Sequence, residues 1–170
     1  MSKRKYLLDT NICIFFLQGK YGIKEKIQQV GRKNCCISEI TIAELLYGAA
    51  YSQSEKHKHD VEIILENLTL VPLYDTLPTY AEVKAQLRRA GLQIEEFDML
   101  IGSSAVHHGY VMVTENVNHF ERIPGIEIEN WAGKGSLLRP KLFLSSLFHH
   151  PLTFGTGMHI PDTDILTTTL

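Results

Sequence analysis

The sequence of 170 residues has no excess of positive charge: 17 Lys and Arg stand against 19 Asp and Glu, for a net charge of −2. That argues against a protein that grips nucleic acid through bulk charge. Any nucleic-acid contact must be local, or routed through cations that offset acidic groups. Cysteine is scarce. Cys13, Cys35 and Cys36 are odd in number and show no C-x-x-C spacing, which points away from a disulfide framework and towards reduced thiols in a cytoplasmic protein. The eight histidines contain no H-x-x-x-H spacing, so a helical zinc motif is missing. No stretch approaches the roughly 18 apolar residues of a membrane-spanning helix. Lys3, Arg4 and Lys5 come early, but Asp9 breaks the short apolar run behind them, so no signal peptide is expected.

What is present alternates. Tyr6-Leu7-Leu8 reads as a short buried strand, and Asp9-Thr10-Asn11 offers helix-capping chemistry ahead of a very apolar helical segment. Ile23, Ile27 and Val30 have helical spacing. Cys35–Ser38 reads as a second strand. Thr41 and Glu44 form a capping-box pattern for the helix that follows. Val61–Leu68 is amphipathic, and Thr69–Leu73 is a third strand. A helix over Tyr80–Ala90 closes at Gly91, and another over Glu95–His108 closes at Gly109. Tyr110–Val113 is a fourth strand, and Ile126–Glu129 a fifth, at an edge. Short strands separated by helices predict an α/β/α sandwich around a mostly parallel sheet of about five strands.

Sites in such sheets form beyond the carboxyl ends of the strands. Asp9 follows the first strand, Glu44 lies in the helix after the second, and Thr114-Glu115-Asn116 follows the fourth. Asp98 lies near the start of the helix that leads into that fourth strand. Each has a plain structural role open to it. Asp9 can cap a helix, Glu44 can complete the box with Thr41, Asp98 can complement a helix dipole, and Asn116 can sit in a turn. Together they would place three carboxylates and an amide at one edge of the sheet. Clustered carboxylates repel unless a cation sits among them, and hard oxygen donors suit Mg²⁺ or Mn²⁺. Lys84, Arg88 and Arg89, at near-helical spacing, are the candidates for phosphate contact, or else a solvated helix face.

These segments resemble a known family. Leu7-Leu8-Asp9-Thr10-Asn11 is similar to the opening of a PIN domain. Ser38–Gly48, with Glu44, resembles its second motif, and Phe97–Ala105, led by Asp98, its third. Val113–Phe120, then Ile123-Pro124-Gly125 and Glu129-Asn130-Trp131, resemble the closing segment of VapC-type toxins. The match runs from about Lys5 to Trp131, with the motifs in order.

The resemblance implies an endoribonuclease toxin that cuts RNA, with tRNA or ribosomal RNA expected, in the cytoplasm. It implies Mg²⁺ (or Mn²⁺), a homodimer, and silencing by a cognate VapB-type antitoxin. Carried over by position, Asp9, Glu44 and Asp98 would be metal ligands, with Thr10, Thr114 and Glu115 in support. Where many members have a fourth acid this chain has Asn116, which favours one firmly held ion and a second bound only with substrate. An alternative is a PIN-like module that binds RNA or protein without cutting. A phosphatase on a similar sheet fits less well, because Asn11 stands where its second acid would be. The domain is expected to cover 1–131. The segment 132–170, broken by Gly and Pro, is expected to be a poorly ordered extension.

Overall fold

In a computed structural model the described residues are 4–133; the expected extension over 132–170 lies outside them apart from Ala132 and Gly133. Five strands, β1 (Tyr6–Leu8), β2 (Cys35–Ser38), β3 (Thr69–Val71), β4 (Val111–Val113) and β5 (Glu127–Glu129), form one sheet in the order β3-β2-β1-β4-β5. Every pairing is parallel. Seven helices connect them: α1 (Thr10–Leu17), α2 (Ile23–Val30), α3 (Glu39–Ser52), α4 (Glu55–Asn67), α5 (Leu77–Arg89), α6 (Glu96–His108) and α7 (Val117–Phe120). The α/β/α architecture expected from the alternation is therefore observed, with the sheet wholly parallel.

The strands are three or four residues long and alternate their side chains between two cores. Leu8, Cys35, Ile37 and Val113 face one core, shared with Ile12 of α1, Ile23 and Ile27 of α2, Ile64 of α4, and Trp131. Leu7, Cys36, Met112 and Val71 face the other, with Val83 and Leu87 of α5, Ile101 and Ala105 of α6, and Phe120 of α7. Two-sided burial of β1, β2 and β4 explains why these strands read as continuous apolar runs. Burial also pushes up the thiols of Cys13, Cys35 and Cys36, that of Cys35 to about 12, so all three stay protonated.

Two local expectations change. The cap of α3 is Ser38, not Thr41. Ser38 keeps extended backbone (φ −85°, ψ 159°), and its Oγ accepts the Thr41 N–H at 3.0 Å. Thr41 is fully buried inside the first turn, so the box pattern with Glu44 starts one turn too late. Helix α4 is capped by Ser54. The four-residue α7 was not expected at all. Its seat is specific: a Cβ on Gly102 of α6 would lie 2.3 Å from Ile123 Cδ1 and 3.1 Å from Phe120 Cδ1. Only glycine lets α7 and the turn behind it lie this close to α6.

Candidate active site

Strand β1 has β2 on one side and β4 on the other, so the chain leaves it in opposite directions. Such a switch point opens a crevice at the carboxyl ends of the strands. Asp9, directly after β1, sits there. Its backbone N–H continues the ladder to Val113 O at 2.9 Å, which holds the residue in register. Its side chain caps α1 through the Thr10 N–H on Oδ1 at 2.8 Å. The other oxygen, Oδ2, accepts the Thr114 hydroxyl at 2.7 Å. Asp9 thus fills its structural role as a cap and is placed at the crevice too.

Thr114 also receives the Asn116 N–H at 2.9 Å, which shapes the turn after β4. Thr10 reaches the third element: its hydroxyl donates to Glu44 Oε2. Asp98, in the first turn of α6, accepts from Asn116 Nδ2 at 3.5 Å and from His119 Nδ1 at 3.1 Å. The sequence-predicted Asp9, Glu44, Asp98, Asn116, Thr10 and Thr114 are therefore connected at one end of the sheet. Glu115 points outward and is exposed.

Asp9 is only 5% exposed, and burial lifts its carboxyl from 3.8 to about 6; the charges of Asp98 and Glu44 push the same way, while the two threonine hydrogen bonds oppose them. Among the described residues none of the three acids forms an ion pair with Lys or Arg. Among the described residues, no three His, Cys, Asp or Glu side chains are placed so that together they could hold a metal ion as the side chains stand. Carboxylate oxygens without a Lys or Arg partner suit Mg²⁺, which keeps several waters and takes one or two carboxylates plus substrate phosphate. The residues fit such an ion in donor chemistry and in charge.

Two residues were missed by reading the sequence. His119 joins the site because α7 brings it round to Asp98. Asn11, two residues past Asp9, has a buried side-chain oxygen without a hydrogen-bond partner among the described residues. Of the basic candidates, Lys84 is half-buried and tied to Tyr80 and Glu96, a clamp between α5 and α6. Arg88 and Arg89 are exposed in the last turn of α5. A cleft of about 300 Å³ lined by residues of α1, α3 and α4, among them Ile14, Leu45 and Val61, opens beside Thr10 and Glu44.

The five-stranded parallel sheet carries its acids at the switch point, and the family model described as the PIN domain matches residues 6–126. The chain belongs to the VapC group of the PIN-domain family. It is 39% identical over 131 residues to the tRNA(fMet)-specific endonuclease VapC of Salmonella typhimurium, covering 75% of this chain and 98% of that protein. Ribonuclease VapC2 of Haemophilus influenzae is 35% identical over 132 residues, with 75% and 98% covered. Among solved structures, VapBC2 from Rickettsia felis bound to a promoter DNA fragment matches with a TM-score of 0.69 at 32% identity, over 74% of this chain and 98% of that one. DNA-bound VapBC from Salmonella typhimurium matches at 0.67 and 33%, over 75% and 98%.

Proposed function

We propose that this chain is a Mg²⁺-dependent endoribonuclease toxin that hydrolyses phosphodiester bonds in tRNA or ribosomal RNA. In this reading it acts in the cytoplasm, forms a homodimer, and is held inactive by a cognate VapB-type antitoxin. The observation that carries the proposal is Asp9: a buried carboxylate at the switch point, crowded by two further acids and given no Lys or Arg partner among the described residues. Such a group is poorly accommodated until a cation arrives.

Asp9, Glu44 and Asp98 would hold the ion. Bound there, a divalent cation makes water a usable nucleophile near neutral pH and stabilises charge building on the phosphate. Thr10 and Thr114 lock the Asp9 carboxylate from both sides, and Thr10 also fixes Glu44. Asn116 orients Asp98 without adding negative charge, which supports one firmly held ion. Arg88 and Arg89 have no ion-pair partner among the described residues and could meet backbone phosphate, whereas Lys84 is committed to Glu96.

The test is cleavage of total RNA by purified protein with Mg²⁺, with EDTA, and with Asp9→Asn, followed by sequencing of the new ends. Discrete ends that need both Mg²⁺ and Asp9 support the proposal. Asn116 in place of an acid favours the second reading, a binding module without catalysis. RNA binding with no Mg²⁺ heat in calorimetry and no new ends would select it.

A further inference from the structure

From the contacts of α7 we infer that His119 is a positioning residue for the divalent cation: it holds Asp98 by one oxygen so that the other stays open to the ion. The inference rests on the metal reading above and adds to it a residue outside the acid set.

Asn116 caps α7, and His119 lies three residues on, so both fall on one side of a single helical turn. Both reach the same atom, Asp98 Oδ2, at 3.5 and 3.1 Å. Among the described residues Oδ1 of Asp98 has no hydrogen-bond partner. An ionised carboxylate only accepts, so His119 Nδ1 carries the hydrogen of this bond. The arrangement is the usual one for outer partners of a metal ligand: one oxygen is anchored, which fixes the rotation of the group and leaves the second lone-pair set directed.

The backbone shows why the arrangement is rigid. Phe120, next to His119, is fully buried, and Ile123 is 2% exposed. Both press on Gly102, four residues beyond Asp98 on the same face of α6. The helix that carries the ligand is therefore the one on which the His119 turn is seated. His119 itself is not core, since its side chain is 44% exposed and borders a cavity of about 310 Å³ with Gln93, Ile94, Glu95 and Glu96. A mere surface residue could be removed without consequence for metal binding, and that difference is measurable.

The experiment is a Mn²⁺ titration of the full chain at one pH without RNA, read by electron paramagnetic resonance, for the parent, H119A, H119N and H119Q. Loss of the outer partner should weaken Mn²⁺ binding about tenfold in H119A. H119N, whose amide nitrogen takes the place of Nδ1, should recover most of it. H119Q, whose donor sits one bond further out, should not. In a D98N background, H119A should have no further effect. Metal-free thermal unfolding checks that all variants fold, and if H119A does not, H119N against H119Q decides. Parent-like Mn²⁺ binding by H119A, or equal weakening in H119N and H119Q, overturns the inference while leaving the metal reading intact. A parent that binds no Mn²⁺ overturns both.

Discussion

At the amino end of the sheet, Arg4 reaches Glu127 at the start of β5, and Lys5 meets the hydroxyl of Tyr110. At the carboxyl end, Asp9, Glu44 and Asp98 are met by hydroxyls, an amide, a backbone N–H and one imidazole. The same five strands thus present a charge-matched rim and a charge-crowded one. The difference separates what serves folding from what serves a ligand. A pair like that of Arg4 and Glu127 is exposed and contributes little to stability. Crowding costs stability, and a chain tolerates it where a bound cation offsets it.

The comparison can be broken most directly at Asp98. Asp98→Asn keeps the shape and removes one charge from the crowded rim. RNA cleavage should fall about 100-fold or more, since even outer partners of a metal ligand cost about 10–100-fold. Initial rates on an end-labelled RNA at fixed Mg²⁺ measure it, and a fall of less than threefold would break the contrast.

Asp9→Asn should destroy cleavage while making the metal-free protein more stable. The folded carboxyl titrates at about 6 and the unfolded one near 3.8. A raised carboxyl binds its proton more tightly when folded, so metal-free stability falls as pH rises from about 4 to about 6 and is level above that. The shift corresponds to at most about 3 kcal/mol. Urea unfolding in EDTA across that window should show the slope in the parent and lose it in Asp9→Asn. Mg²⁺ should stabilise the parent above pH 6 and leave the variant unchanged.

Gly102→Ala tests whether the crowded rim depends on packing behind it. The added methyl collides with Ile123 and Phe120, and overpacking of this kind costs about 1–3 kcal/mol. The thermal midpoint should drop, and Mn²⁺ affinity with it, although no acid has been touched. The smallest effect belongs to the matched rim. Arg4→Ala should cost about 0–1 kcal/mol and leave cleavage at parental rates.

Much of this was legible in the sequence. The central strands β1, β2 and β4 announced themselves because they are buried on both faces, and Asp9 because a cap must follow directly where β1 passes into α1. Parallel order and the switch point then brought Asp9, Glu44 and Asp98 to one rim. Other features depended on distances that residue types do not carry. The Ser38 cap was overlooked because Thr41 and Glu44 also satisfy the box pattern, and only backbone angles distinguish them. The turn α7 is too short for periodicity to reveal, so nothing in the sequence pattern singles out His119. Lys84 read as a free cation because its partner Glu96 lies on another helix, twelve residues away.

Thr10 touches two acids at once, through its N–H on Asp9 and its hydroxyl on Glu44. It is a strut between α1 and α3, and it sets the spacing of two carboxylates that the sheet alone would leave independent. A displacement at the start of α1 would be transmitted to both, so the pocket is geared rather than assembled piece by piece. Serine at this position keeps the strut, and valine, of nearly the same shape, severs it. The ratio of their cleavage rates would read how far the two acids act as one part.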